Sequence, residues 1–207
     1  FVVHTANRVC PRCGLSVAGH GEGALALGAV VGSEPDPRTL DRRVPLPQGK
    51  TLGGSSAING LIYNRGQAED YDHWAELGNE GWSFEDVLPY FIKSEGNARG
   101  SIDSHGGAGP LKVSDIGAKH ELIEAFIASA EQIGVPRTSD FNGRQQEGAG
   151  YYQLTTSKGL RCSTAKGYLG PARSRPNLHI ETDAMATGLI MRGKRAIGVD
   201  FRQNGRM

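Results

Sequence analysis

The sequence has little of the charge, cysteine and long apolar stretches that mark several classes of protein. Its 207 residues include 23 basic and 22 acidic ones, and the net charge of +1 predicts no broad field for nucleic acid or an anionic membrane. No apolar run is long enough to cross a bilayer, so no transmembrane segment is expected. Three cysteines are too few for a disulfide framework and favour a reducing compartment such as the cytoplasm.

Glycine, by contrast, is abundant. Thirty glycines and ten prolines indicate many turns, as in a loop-rich protein of mixed α and β structure. A chain of 207 residues can bury a sizeable core in one or two domains. We therefore predict a mixed α/β fold.

The head of the chain, residues 1–32, offers only weak signals. Cys10 and Cys13 have the spacing of a redox or zinc pair, with His4 and His20 near enough to complete a zinc site. An inert cysteine pair is the favoured interpretation, and a small zinc-binding module is an alternative. The chain begins without Met or a signal-peptide layout, so we expect its true N-terminus to be missing.

Residues 19–24 (GHGEGA) satisfy the relaxed dinucleotide-binding pattern G-x-G-x-x-G/A. In a real site of this kind, a pyrophosphate would lie at the N-terminus of the following helix. The preceding apolar stretch is short and interrupted, which favours coincidence. We interpret the head as poorly ordered, or as read from a shifted frame or a truncated gene.

The most informative stretch is residues 49–66 (GKTLGGSSAINGLIYNRG). Gly53 and Gly54 have no Cβ, so the backbone can approach a flat or phosphorylated ligand closely. Ser55 and Ser56 can donate hydrogen bonds to that ligand or cap a following helix. A tight turn that binds nothing is the alternative that the residues alone leave open.

This ordered string resembles the first signature of the glucose-methanol-choline (GMC) family of FAD-dependent oxidoreductases. Further similar stretches are residues 71–74, 78–82, 87–91, 109–111, 161–165, 175–178 and 195–199. We expect the resemblance to run from about Ser33 to Met207. It implies a partial glutathione-reductase-like FAD-binding domain formed by residues 33–66 and 160–207. Residues 67–159 would form an inserted, partial substrate domain with an antiparallel sheet.

The resemblance also implies the chemistry. In the family an alcohol is oxidised by hydride transfer from its carbinol carbon to flavin N5, while a base takes the hydroxyl proton. Some relatives attach the flavin through a histidine at the position of Ile58, so non-covalent FAD is implied here. The implied cofactor-binding residues are Gly53, Gly54, Ser55, Asn59, Gly60 and Ala186. For Ala186, adenine contact and simple edge-strand packing are both open.

No catalytic residue is assigned. The family's base is a histidine near the end of the full-length enzyme, and the six histidines of this chain do not match its position. His105, in a glycine-rich turn, is expected to be solvated. The alcohol and the electron acceptor are left open. The alternative function is a non-catalytic remnant, or a nucleotide-binding fragment without activity.

Local patterns predict the main helices and strands. Tyr71, Trp74 and Leu77 recur at helical spacing within residues 68–77, which predicts a helix that turns these side chains to the core. Ser83 is suited to cap the next helix. We also predict a helix over residues 119–133, a short helix through Leu169 with Ser163 as its cap, and strands over residues 111–113, 151–156, 178–182, 184–191 and 196–201. The last two strands are expected to form a hairpin through Gly193 and Lys194.

Overall fold

The computed structural model describes residues 27–30 and 46–204. The predictions for Cys10, Cys13, His4 and His20, for residues 19–24, and for disorder of the head fall outside the described residues. The chain divides into two compact units. The first combines the residues before Gly60 with those from Thr164 onward, and the second is Gly60–Ser163. Their assignment to the FAD and substrate domains stays a prediction.

Short helices and strands alternate along the chain, and their bounds are as follows. They are β1 (Leu27–Val30), β2 (Leu46–Gly49), β3 (Ile62–Tyr63), α1 (Ala68–Glu76), α2 (Phe84–Ser94), β4 (Glu95–Asn97), β5 (Leu111–Val113), α3 (Glu121–Gln132), β6 (Gln153–Leu154), β7 (Thr156–Ser157), β8 (Leu160–Arg161), α4 (Gly170–Ala172), β9 (Ala184–Arg192) and β10 (Arg195–Gln203).

The strands form small two-stranded sheets. Antiparallel pairing joins β1 to β2, β3 to β6, β7 to β8 and β9 to β10, whereas β4 and β5 are parallel. A 3-10 turn over Gly54–Ala57 follows β2, and a π-type helical segment over Ala165–Leu169 precedes α4. The mixed α/β fold is confirmed.

In the second unit, α1 and α2 form where they were predicted. Ser83 caps α2, because its side chain accepts the backbone N–H of Asp86 while the Asp86 carboxylate accepts the backbone N–H of Ser83. The prediction that α1 turns its aromatic face to the core is wrong, since Trp74 is 45% and Leu77 67% exposed. The rings contact one another instead, with Tyr71 5.4 Å from Trp74 between ring centroids.

Helix α3 also matches its prediction closely. The side chain of His120 accepts the N–H of Leu122 at its start, and Gly134 ends it at φ +89°, a conformation that suits glycine. Of its apolar side chains, Ile127 is buried, whereas Leu122 and Phe126 are exposed. The helical spacing therefore predicted the helix correctly, although most of its apolar stripe is uncovered.

In the first unit, β9 and β10 form the predicted hairpin, with Gly193 at its tip. The predicted strand over residues 178–182 is not formed; a single bridge at Glu181 replaces it. The helical segment begins at Ala165, so Thr164 and not Ser163 occupies its N-cap position. The structure thus corrects the predicted cap residue and reduces three predicted strands to a two-stranded hairpin.

Candidate cofactor-binding turn and a buried ionic cluster

Residues 53–60, here called the glycine turn, reverse the chain after β2. Gly53 has φ +93° and ψ −7°, and Gly54 has φ +54°, values that glycine adopts without steric strain. The N–H of Gly54 donates to the carbonyl of Thr51 at 2.8 Å. Further along, the N–H of Asn59 donates to the carbonyl of Ser55 at 2.9 Å. The backbone of the turn is therefore fixed at both ends by its own hydrogen bonds.

The glycines in and before this turn face two different surroundings. A Cβ on Gly49 would collide with the backbone of Gly54, and a Cβ on Gly53 would lie 3.2 Å from the Cβ of Ala165. A Cβ on Gly54 or Gly60 would meet no atom within 4 Å. Two glycines thus permit internal packing, while two present open backbone. An open, ordered glycine backbone fits the requirement of a flat ligand such as a flavin.

The hydroxyl side chains of Ser56 and Thr164 contact the backbone of the turn. Ser56 Oγ lies 2.5 Å from the carbonyl oxygen of Gly53 and 3.0 Å from Thr164 Oγ1. The backbone N–H of Thr164 donates to Ser56 Oγ at 3.0 Å. Contacts across 108 residues of sequence therefore join the turn to the start of the Ala165–Leu169 segment.

The remaining predicted cofactor residues lie around this turn or apart from it. Ser55 and Asn59 are exposed, and Ser55 Oγ accepts the N–H of Gly49 at 3.3 Å. Gly60 is the first residue of the second unit. Ala186 is exposed on β9, opposite Phe201 of β10, in a sheet separate from the turn. Gly53, Gly54 and Ser55 therefore lie in one turn, whereas Ala186 lies on a separate strand, β9.

A second constellation, absent from the sequence predictions, is buried in the second unit. We call it the ionic cluster, and it consists of Arg65, Glu95, His105 and Asp140. Arg65 Nη2 donates to Glu95 Oε2 at 2.7 Å, and the two side chains are 1% and 0% exposed. His105 lies between two carboxylates, with Nδ1 3.0 Å from Glu95 Oε1 and Nε2 2.8 Å from Asp140 Oδ2. The prediction of a solvated His105 is wrong.

The ionic cluster is fully hydrogen-bonded within the protein. Glu95 also accepts from Asn97 Nδ2 at 2.9 Å and from the N–H of Gly106 at 3.1 Å. Arg65 donates to the carbonyl of Ser104 at 2.8 Å. Each ring nitrogen of His105 faces one carboxylate. Arg65, Glu95 and His105 are buried, whereas the side chain of Asp140 is 24% exposed.

Burial acts to raise the pKa of Asp140, but hydrogen bonds with the N–H of Asn142 and with His105, together with the charges of His105 and Arg99, hold the pKa below its usual range. Asp115 follows the same pattern. Burial acts to raise its pKa, while hydrogen bonds from Arg99 and Gln153 and the charges of Arg99 and Lys119 together lower it below its usual range. Both carboxylates are therefore stabilised in their ionised form.

The second unit also contains a cleft of about 830 Å³. Its lining mixes apolar side chains such as Phe84 and Leu88 with carboxylates such as Glu69 and Glu85. None of the predicted cofactor residues lines it. Across residues 27–30 and 46–204, no helix combines the length and hydropathy needed to cross a bilayer.

Comparison with known proteins identifies the family. The family model described as GMC oxidoreductase matches residues 21–207, so the match begins earlier than the expected Ser33. The oxygen-dependent choline dehydrogenase of Serratia proteamaculans is 50% identical over 174 residues, covering 83% of this chain and 31% of that protein. Its counterpart from Escherichia coli K12 is 50% identical over 172 residues, covering 82% of this chain and 31% of that protein.

Solved structures agree. Pyridoxine 4-oxidase from Mesorbium loti superposes with a TM-score of 0.79 at 26% identity, covering 88% of this chain and 36% of that one. An FAD-dependent oxidoreductase from Chaetomium thermophilum gives 0.74 at 30% identity, covering 83% and 32%. The chain spans about a third of the length of these proteins. Because the family model covers most of the sequence, the chain belongs to the GMC oxidoreductase family.

Proposed function

We propose that this chain carries a cofactor-binding part of an enzyme that oxidises a small alcohol with non-covalently bound FAD. The single observation that carries the proposal is the glycine turn, whose backbone is ordered and whose Gly54 face is open. The similarity to choline dehydrogenases and to an FAD-dependent oxidoreductase supports the cofactor and the substrate class. FAD, when bound, supplies the hydride acceptor for the alcohol carbon.

The residues of the chain would contribute position and hydrogen bonds. Gly53 and Gly54 would bring backbone against the cofactor, and the exposed side chains of Ser55 and Asn59 would donate to it. Gly60, with open space where a Cβ would be, leaves room beside Asn59. The saturated side chain of Ile58 has no group that could bond to a flavin, which supports non-covalent attachment.

Two further assignments belong to the same proposal. The exposed backbone of Ala186 on β9 would contact the adenine. A reducing compartment, the cytoplasm, is supported by the low cysteine content and by the free, buried thiol of Cys162. The catalytic base and the electron acceptor are not assigned to any residue of this chain.

The test compares two glycine variants whose local strain is matched. Gly54→Ala introduces a methyl group at φ +54° and Gly193→Ala introduces one at φ +59°, and neither Cβ would meet an atom within 4 Å. Both positions lie in the first unit. The purified chain is titrated with FAD, and the Kd is read from flavin fluorescence. We expect the Gly54→Ala Kd to rise about tenfold or more, because the methyl group occupies the ligand's approach.

Gly193→Ala should bind FAD as the unmodified chain does. If the unmodified chain does not bind FAD, the alternative of a non-catalytic remnant is favoured over the proposed function. An equal Kd for FAD in both variants would mean that the glycine turn is not part of the binding site. Bleaching of the bound flavin absorbance on addition of choline then tests alcohol oxidation separately from binding.

A further inference from the structure

Thr164 contacts the glycine turn through both its side chain and its backbone. Its side-chain Oγ1 lies 3.2 Å from the carbonyl oxygen of Gly53 and 3.0 Å from Ser56 Oγ. Its backbone N–H donates to the same Ser56 Oγ at 3.0 Å. Side chain and backbone of one residue therefore converge on two neighbouring atoms of the turn.

Donor and acceptor chemistry fixes the direction of the bond from the Ser56 hydroxyl to the Gly53 carbonyl. A serine hydroxyl has one proton, and that of Ser56 is directed to the carbonyl of Gly53 at 2.5 Å. The lone pairs of Ser56 Oγ are then available to the N–H and the hydroxyl of Thr164. The hydroxyl of Thr164 also has one proton, which goes either to Ser56 Oγ or to the carbonyl oxygen of Gly53. That carbonyl oxygen also accepts the backbone N–H of Ser56 at 3.2 Å. The arrangement needs a hydroxyl at both positions.

This arrangement acts on the peptide of the turn that side chains restrict least. Two consecutive glycines have the greatest backbone freedom of any pair, so the Gly53–Gly54 peptide could otherwise adopt several orientations. Its carbonyl is held by the hydroxyls, and the N–H of Gly54 donates to Thr51 on the other side. Because the peptide is fixed before any ligand arrives, the entropy cost of ordering it does not fall on binding.

We propose that Ser56 and Thr164 are positioning residues that preorganise the Gly53–Gly54 peptide for the cofactor. This inference rests on the proposed function of the glycine turn. It adds a residue from the second sequence segment of the first unit, 108 positions beyond Ser56, to the determinants of that site. Neither hydroxyl is required to touch the cofactor.

The experiment uses the full 207-residue chain and three threonine variants. Thr164→Val removes the hydroxyl but keeps the shape, and Thr164→Ser keeps the hydroxyl but removes the methyl group. Thr182→Val is the matched control at an exposed position of the same unit. For each variant we measure the Kd for FAD, the visible absorption spectrum of the bound flavin, and hydrogen exchange of the β9–β10 amides.

Thr164→Val should raise the Kd about tenfold and change the shape of the bound-flavin spectrum, because the hydrogen bond that the Thr164 hydroxyl donates to the turn is lost. Thr164→Ser should restore both properties, and Thr182→Val should leave both unchanged. Unaltered exchange in β9 and β10 shows that the first unit still folds. Should Thr164→Val unfold it, Ser56→Ala removes the other hydroxyl and must produce the same increase in Kd.

The possible failures are distinguishable. Loss of FAD binding in the unmodified chain overturns the proposed function and this inference together. FAD binding by the unmodified chain with an unchanged Kd and spectrum in Thr164→Val overturns the positioning role alone. An increased Kd in both Thr164→Val and Thr164→Ser would also overturn it, because the hydroxyl would then not be the determinant.

Discussion

The glycine turn, whose residues 53–59 belong to the first unit, and the ionic cluster of the second unit are held in place by opposite means. The turn depends on missing side chains, since a methyl group on Gly53 would lie at φ +93° and only 3.2 Å from the Cβ of Ala165. The ionic cluster depends on complete side chains, since Glu95 is fully buried and accepts from four surrounding groups. The turn should therefore be sensitive to added atoms, and the cluster to removed charges.

The largest expected effect comes from removing a charge in the cluster. Glu95→Ala leaves the buried guanidinium of Arg65 without its carboxylate, which should lower the free energy of unfolding by about 3–5 kcal/mol. The chain's two tryptophans, Trp74 and Trp82, both lie in the second unit. Urea unfolding followed by tryptophan fluorescence therefore reports on this unit selectively.

Glu95→Gln provides a milder version in case Glu95→Ala does not fold. It retains the volume and one acceptor but removes the charge that Arg65 faces. The control is Glu124→Ala, which removes the partner of the exposed Arg137 side chain. An exposed ion pair contributes little, so this variant should unfold almost as the unmodified chain does. Equal effects at Glu95 and Glu124 would contradict the structural role of burial.

The glycine turn and the ionic cluster also differ in how well the sequence predicted them. The glycine turn was predictable because its function depends on residue identity at consecutive positions, where glycine and serine form a visible pattern. The ionic cluster was not predictable, since Arg65, Glu95, His105 and Asp140 are separated by 75 residues from first to last. No periodicity connects them, and only long-range contacts in the fold place His105 between two carboxylates.

For the helices too, the sequence predicted local structure better than long-range packing. Helical spacing and a capping residue are local signals, so α2 and α3 formed as predicted. Burial of an apolar face depends on what else lies against it, and spacing carries no information about that. Trp74 on α1 and Phe126 on α3 are exposed for this reason.

The second largest effect should follow from adding an atom to the turn. Gly53→Ala places a methyl group at φ +93° and 3.2 Å from the Cβ of Ala165, a strain of about 1–3 kcal/mol. Hydrogen exchange of the Thr164 amide, which donates to Ser56, should become faster. Unfolding of the second unit, measured by tryptophan fluorescence, should not change.

Gly193→Ala serves as the control for that variant. Its φ of +59° is also positive, but its Cβ would meet open space at the hairpin tip. Faster exchange should then be confined to β9 and β10. Identical exchange of the Thr164 amide in Gly53→Ala and in the unmodified chain would contradict the packing of Gly53 against Ala165.

The smallest effect should come from removing a charge by protonation at the edge of the ionic cluster. Because the pKa of Asp140 is held below its ordinary value of 3.8, its ionised form stabilises the second unit above that pH. This stabilisation should be lost as the pH falls through the lower pKa of the folded state. In Asp140→Asn, the free energy of unfolding in urea should therefore decrease less steeply between neutral pH and pH 3. The change should be smaller than the loss of unfolding free energy in Glu95→Ala, since Asp140 is partly exposed.

The control for Asp140→Asn is Asp103→Asn, which changes an exposed aspartate of the same unit outside the cluster. If the two variants lose stability in acid with the same slope, His105 and the N–H of Asn142 do not stabilise the Asp140 carboxylate. A flatter slope in Asp140→Asn alone means that the cluster weakens when it loses a charge. Protonation of Asp140 would then destabilise the second unit reversibly, and by less than a substitution of Glu95 does. The glycine turn has no ionisable side chain, so its stability should not change with pH.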